Sequence, residues 1–167
     1  ALPADLLLLA RLDAGERPGR TAVDLGALVS EEVSQRTGDR IPVEVVVAEG
    51  DSCEVGGSRG QLARVIGNLL DNAQRHAAGS VVVTVAADRR DVRVEVADDG
   101  AGVPEGERER IFERFVRLDD ARSRDDGGAG LGLALARDIA VRHGGTLTVG
   151  TSRPGGAAFT LRLPRQG

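Results

Sequence analysis

The sequence predicts an α+β fold, a two-layer sandwich in which a mixed sheet of about five strands carries three main helices on one face. Three observations predict it. Val92, Val94 and Val96 alternate with Arg93 and Glu95, the period-two pattern of a half-buried antiparallel strand. A run from about Ser58 to Ala77 places Leu62, Val65, Ile66, Leu69, Leu70 and Ala73 at helical spacing, as a core-facing stripe. Strand-like and helix-like segments also alternate without a strict βαβ rhythm, which favours a mixed sheet with its helices to one side.

In chain order, residues 1–13 form an apolar stretch with four consecutive leucines, followed by a turn-rich stretch to Gly19. This reads as the end of a helix and a linker, and the leucines would need another chain or a further segment to cover them. Asp24 is an N-cap for a helix through Leu25, Leu28, Val29 and Val33, ending near Gly38. Val43 to Ala48 is a β-branched run suited to a buried strand, and a short strand can follow at Ser52 to Val55. Ser58 and Gln61 have the form of a capping box opening the long helix. Strands follow at Val81–Ala87 and Val92–Ala97. A charged segment from Val103 to Gly127 then carries one short helical piece with Ile111, Phe112, Phe115 and Leu118. A helix with Leu133, Ala136, Ile139 and Ala140 on its apolar face stops at Gly144-Gly145, and strands at Thr146–Val149 and Ala158–Leu163 close the chain.

Three clusters carry candidate chemistry. On the long helix, Asn68, Asn72, Arg75 and His76 stack along a second face, which fits contacts to a metal and to phosphate but equally a solvated polar face. Asp98-Asp99-Gly100-Ala101-Gly102 follows a strand directly. Asp98 can accept a hydrogen bond from an exocyclic amine or simply cap a turn, and Asp99 reads as solvated. Glycines at 100 and 102 let a planar ligand approach the backbone. Gly128 to Gly132 opens a helix, where backbone amides favour an anion, although such loops also serve as tight turns. The charged segment between the glycine clusters is long for a compact domain, as hinged lids are, and holds Arg114, Arg117, Arg122 and Arg124 as cations for a phosphate chain or for solvent.

Composition narrows the classes. The 167 residues, 41% hydrophobic and 29% charged, fit one globular domain. A net charge of −4 gives no reason to expect nucleic-acid or anionic-membrane binding. All 22 basic residues are arginine, and Met, Trp and Tyr are absent. The single Cys53 leaves no internal disulfide and no CxxC metal framework. No apolar run approaches the roughly 20 residues that span a bilayer, so the chain is not expected to insert in a membrane. The missing initiator methionine fits a processed or excised fragment.

Together these residues resemble the ATP-binding domain of bacterial sensor histidine kinases, in the superfamily shared with DNA gyrase, heat-shock protein 90 and MutL. Asn68 to Asn72 is similar to that family's N box, Asp98 to Gly102 to its G1 box, Phe112 to Phe115 to its F box, and Gly128 to Leu133 to its G2 box. His143-Gly144-Gly145-Thr146 and Phe159 to Pro164 resemble the closing elements. The resemblance implies the Bergerat-type ATP-binding fold with a flexible ATP lid over residues 21–165, preceded at 1–20 by the tail of a dimerisation helix and a linker. It implies ATP and Mg²⁺ as cofactors. Asn72 would coordinate Mg²⁺ with Asn68 in support, Arg75 would reach a phosphate, and His76 would lie beside adenine. Asp98 would bind the adenine amino group, with Gly100, Gly102 and Ile111 lining the base pocket. Gly128, Gly130, Leu131 and Gly132 would carry the hinge and bind phosphate, and Arg117 would contact the terminal phosphate during transfer.

The implied partners are ATP and ADP, a histidine on the dimerisation and phosphotransfer domain of the same kinase, and a response regulator; the implied setting is the cytoplasmic side of a membrane-anchored bacterial sensor. His76 and His143 both lie outside the family's H box, so the acceptor would be elsewhere. Two alternatives are an ATPase or anti-sigma-factor serine kinase of the same superfamily, and a nucleotide-binding pseudokinase. The first generally carries Glu one turn before the metal Asn; here Asn68 stands there, and a carboxamide is no general base.

Overall fold

The register of one sheet explains where the core lies. In the computed structural model, which describes residues 4–13, 20–114, 131–153 and 155–166, five strands run in the order β2-β4-β5-β7-β6. These are β2 (Val43–Val47), β4 (Val81–Ala87), β5 (Asp91–Asp98), β6 (Thr146–Thr151) and β7 (Ala157–Pro164). Only β2 and β4 pair in parallel; the other neighbours are antiparallel. Strand β2 is not the buried strand expected: it lies at the sheet edge, where one side has no strand to cover it, and Val46 and Val47 are exposed. Val83, Val96, Phe159 and Val149 stand opposite one another across four strands, as do Val85, Val94, Leu161 and Leu147. All eight are buried. The rows between them hold Thr84, Glu95, Thr160 and Thr148. A slip of one residue would exchange these rows, so the alternation itself sets the register.

Three helices cover the apolar rows, α2 (Leu25–Ser34), α3 (Arg59–His76) and α4 (Gly132–Arg142). The mixed sheet with helices on one face is the architecture read from the sequence. On α3 the expected stripe is buried throughout. On α4 the buried set is Ala134, Leu135, Ala136, Ile139 and Ala140, with Leu133 only partly buried, so the stripe is turned slightly from its predicted centre. Its end is as expected. Gly144 adopts φ 80°, Gly144 N–H bonds Val141 O at 2.9 Å and Gly145 N–H bonds Ala140 O at 2.9 Å, the paired bonds of a Schellman stop.

Three features were not anticipated. A strand β1 (Thr21–Asp24) pairs antiparallel with β3 (Glu54–Gly57) in a separate two-stranded sheet, β3 lying two residues later than expected. Helix α2 stops at Ser34, short of Gly38. Helix α1 (Ala4–Asp13) lies against α4, with Leu9 and Leu12 in the common core. Arg64 of α3 holds Asp5 at 2.8 Å. The leucine run is therefore covered largely by this chain itself, leaving Leu7 exposed. Burying two leucines contributes about 1.5–3 kcal/mol each, far above an exposed ion pair. None of the described helices is long and apolar enough to cross a membrane.

The ends of α3 are held by other elements. At its start, Ser58 Oγ accepts from Gln61 N–H at 3.3 Å, one half of the expected capping box. The other half is replaced: Ser58 N–H donates to His143 Nε2 at 3.1 Å, leaving Gln61 Oε1 buried without a partner. At its far end Arg40 donates to Gln74 O and Ala77 O, placing a cation against the last carbonyls.

His143 is 2% exposed, and its Nδ1 lies 2.9 Å from Ile139 O. Nε2 accepts from Ser58, so Nδ1 carries the proton and donates; both bonds need the neutral ring. Burial lowers its pKa below the ordinary imidazole value of 6.5, the Ile139 carbonyl opposes this, and Arg20 adds to the lowering. The unfolded chain therefore takes up this proton first as pH falls, and stability drops below about pH 6.5. Chemical denaturation at pH 7.5 and 5.5 should show lower stability at the acid pH. His143→Gln should flatten that difference while costing about 1–3 kcal/mol at pH 7.5 for the Ser58 amide left unpaired.

Candidate functional site

Asp98 is buried because it continues the core-facing alternation Val92, Val94, Val96 by one more step, at the last position of β5. A carboxylate in that register needs donors in place of packing partners. Oδ1 receives two, Gly100 N–H at 2.8 Å and Ala157 N–H at 3.2 Å. Oδ2 is buried and accepts no hydrogen bond among the described residues. The site thus holds one fully bonded oxygen and one open acceptor, 2% exposed as a residue.

Glycines let three segments meet around this carboxylate. A Cβ on Gly100 would lie 2.0 Å from His76 O, at the end of α3. One on Gly156 would lie 2.2 Å from Asp98 O. Gly102 adopts φ 77°, a conformation that disfavours side chains, with Gly155 O 3.1 Å from where its Cβ would stand. The α3 end, the turn after β5 and the β6–β7 turn are thereby brought to within backbone contact. Asp99 keeps contact with solvent, as expected, and in addition accepts from Ala78, Gly79 and Ser80 N–H at 2.8–3.1 Å. The Gly79 amide, aided by those of Ser80 and Ala78, holds its carboxyl below the usual range against a smaller opposing effect of burial. Asp99 therefore anchors the loop between α3 and β4.

The polar face of α3 divides into two parts. Asn72 is buried among α3's core residues and makes no side-chain hydrogen bond among the described residues. Asn68 Nδ2 donates to Gly132 O at 3.0 Å, tying α3 to the first turn of α4 and leaving Oδ1 free. Arg75 and His76 are exposed at the C-terminal end of α3, and neither side chain is hydrogen-bonded among the described residues. Leu131, at the N-cap of α4, is buried and has no capping side chain, so among the described residues no side chain satisfies the helix's first amides.

Ile111 and Phe112 lie in the main core on a short 3₁₀ turn at Arg110–Phe112, so the first part of the charged segment is anchored to the domain. Phe112 meets Phe159 edge-on at 6.1 Å, and the Arg137 guanidinium lies 4.6 Å from its ring centre. Glu109 holds Arg137 at 2.9 Å. Arg117, Gly128 and Gly130 lie outside the described residues, together with Phe115, Arg122, Arg124 and the rest of the expected lid beyond residue 114. Among the described residues no cluster of three or more His, Cys, Asp or Glu could hold a metal.

Sequence reasoning missed Ser152, Gly156 and Ala157, which complete the surroundings of Asp98 from the β6–β7 turn. They carry no spacing signal; a serine before a Pro-Gly turn is ordinary, and only the fold sets it against Asp98. The anchoring role of Asp99 was missed for the same reason.

Comparison with known proteins places this geometry. The family model described as histidine kinase-, DNA gyrase B- and HSP90-like ATPase matches residues 57–167. The sensor-like histidine kinase SenX3 of Mycobacterium tuberculosis is 40% identical over 167 residues, covering 96% of this chain and 40% of that protein. A crystal structure of full-length ShkA in complex with AMPPNP superposes with a TM-score of 0.83 at 30% identity, over 98% of this chain and 35% of that one. The ATP binding domain of PrrB from Mycobacterium tuberculosis gives 0.69 at 31% identity, over 89% of this chain and 99% of that one. This chain therefore spans about two fifths of the length of SenX3 and almost all of an isolated ATP-binding domain. The chain belongs to the histidine kinase-, DNA gyrase B- and HSP90-like ATPase family, as a histidine kinase-type ATP-binding domain.

Proposed function

We propose that this chain binds Mg-ATP between α3, the turn after β5 and the N-terminus of α4, and transfers the γ-phosphoryl group to a histidine on a dimerisation domain. The observation that carries the reading is Asp98 Oδ2, a buried acceptor without a partner among the described residues, where the α3 end and two turns converge. An amino group on a base fits it, since a carboxylate oxygen can only accept. Residues 21–165 form the catalytic unit, and 1–20 the tail of the dimerisation helix with its linker. In the whole kinase this unit faces the cytoplasm below a membrane anchor, and a response regulator takes the phosphoryl group onward.

Asn72 is the metal contact in this reading, a buried carboxamide whose oxygen is uncommitted. Mg²⁺ commonly keeps several waters and is held by substrate phosphates with few protein ligands, which suits the absence of an acidic cluster among the described residues. When bound, the ion would neutralise charge on the phosphates. Asn68 steadies Gly132, so that the α4 amides lie where an anion would be received. Arg75 and Arg117 supply positive charge to the phosphate chain, His76 borders the base, and Gly128 and Gly130 belong to the phosphate loop. Transfer then depends on positioning and charge more than on covalent chemistry by the protein.

The acceptor comes from outside the site. His143 uses both ring nitrogens inside the fold, so it has no lone pair to offer. Asn68 provides no general base for water, which disfavours simple hydrolysis. The test is to mix the chain with γ-labelled ATP, Mg²⁺ and the preceding helical segment of the kinase. Acid-labile label on that segment is the expected result; steady phosphate release with no labelled protein would contradict transfer.

Two substitutions test the binding roles. In Asp98→Asn, the amides of Gly100 and Ala157 require an oxygen where Oδ1 stood, so the new amino group takes the place of Oδ2. Preference for ATP over GTP should fall by about tenfold or more, as expected for a hydrogen bond to a charged group; an unchanged ratio in competition binding would remove Asp98 from the base pocket. Asn72→Ala should abolish the gain in ATP affinity that Mg²⁺ confers, and a preserved gain would sink its metal role.

A further inference from the structure

We infer that Ser152, in the β6–β7 turn, determines nucleobase selectivity by fixing how Asp98 presents its carboxylate. The inference rests on the reading that Asp98 pairs with an exocyclic amine. Ser152 is buried, and its hydroxyl both donates and accepts. It donates to Asp98 O at 2.7 Å and accepts from Gly156 N–H at 2.9 Å. Two backbone bonds close the same turn, Ser152 N–H to Gly156 O at 2.9 Å and Gly155 N–H to Ser152 O at 3.0 Å.

The position of this clamp gives it its role. The β5–β7 pairing ends at Ala97 and Ala158, one residue before Asp98. Asp98 is thus paired with Val81 on one side but has no strand partner on the other. The Ser152 hydroxyl takes up the carbonyl that the ladder leaves over. It also draws Gly156 against Asp98, where a Cβ would be 2.2 Å from Asp98 O and 2.6 Å from Oδ1. That approach sets Ala157 N–H on Oδ1. With Gly100 N–H on the same oxygen, turning the carboxylate breaks two bonds at once.

The consequence is chemical. One oxygen is saturated, so the base meets a single, buried, acceptor-only atom. A 6-amino group can donate to it. A 6-oxo group brings a second acceptor against it, and a site built to receive a donor rejects a ligand that lacks one. Without the Ser152 hydroxyl, Gly156 N–H and Asp98 O lose their common partner and Ala157 N–H is released from its place on Oδ1. Asp98 remains, but its orientation is no longer unique, so discrimination falls before binding does.

The experiment is equilibrium binding of ATP and of inosine triphosphate to the unmutated chain, Ser152→Ala and Ser152→Thr, with thermal unfolding of each. The unmutated chain should favour ATP by about tenfold or more, the value of one hydrogen bond to a charged group. Ser152→Ala should lose most of that ratio, and Ser152→Thr, which retains the hydroxyl, should recover much of it. Equal weakening of both nucleotides in Ser152→Ala, with the ratio kept, would overturn the inference and leave Ser152 a structural residue. An unmutated chain without preference would instead overturn the Asp98 reading on which it rests. Should Ser152→Ala fail to fold, Ser152→Cys, close in shape but a weak donor, takes its place: a reduced ratio supports the inference and a kept ratio overturns it.

Discussion

A buried carboxylate that is only half bonded is the constraint on which this structure turns. Desolvating a charge is costly unless donors surround it, and Asp98 has two backbone amides on one oxygen and none on the other. Those two amides come from separate places, the turn after β5 and the first residue of β7. Both strands must therefore be in register for the charge to be tolerated. The valines that align β4 with β5 and the Phe159–Leu161 rows of β7 make that register unique. A ligand amine meeting Oδ2 would relieve what the fold leaves unmet, so part of the cost borne in folding returns on binding.

Helix α3 converts the same core into a surface for chemistry. One face is packed at every predicted position; the adjoining face holds Asn68 and Asn72 in fixed places. Each end is secured by a residue distant in sequence: His143 at the N-cap, Arg40 at the last carbonyls, and Asp99 on the loop that follows. A long helix with three such ties has little freedom to shift along its axis, which is what the proposed metal and phosphate contacts one turn apart would require. The glycine contacts add a steric condition, since a side chain at Gly100 would push the α3 end away from Asp98.

Much of this was legible before any coordinates. Alternation, β-branched composition and helical spacing together place six of the seven strands and all of α3, most firmly where residues facing a core repeat with the element's own period, as in β5 and α3. The Gly144-Gly145 stop and the Asp24 and Ser58 caps follow from backbone chemistry that acts within a few residues. What was not legible acts across the chain. Strand β1 has no alternation of its own length to declare it and exists because β3 pairs with it. The reciprocal arm of the Ser58 cap yields to His143, eighty-five residues away in sequence. Leu9 and Leu12 find their cover on α4, which no local pattern announces. Asp98 lies between the two cases: alternation points it inward, yet which oxygen stays open depends on Ala157 and Ser152.

The most direct test of the account removes a single hydrogen-bond donor from the ligand and leaves the protein untouched. Calorimetric titration of the chain with Mg-ATP should be compared with titration by the Mg complex of purine riboside triphosphate, which lacks only the 6-amino group. If Asp98 Oδ2 is the base acceptor, the analogue should bind about tenfold or more weaker, in line with one hydrogen bond to a charged partner. Equal affinities would contradict the account, because the open oxygen would then play no part in recognising the base.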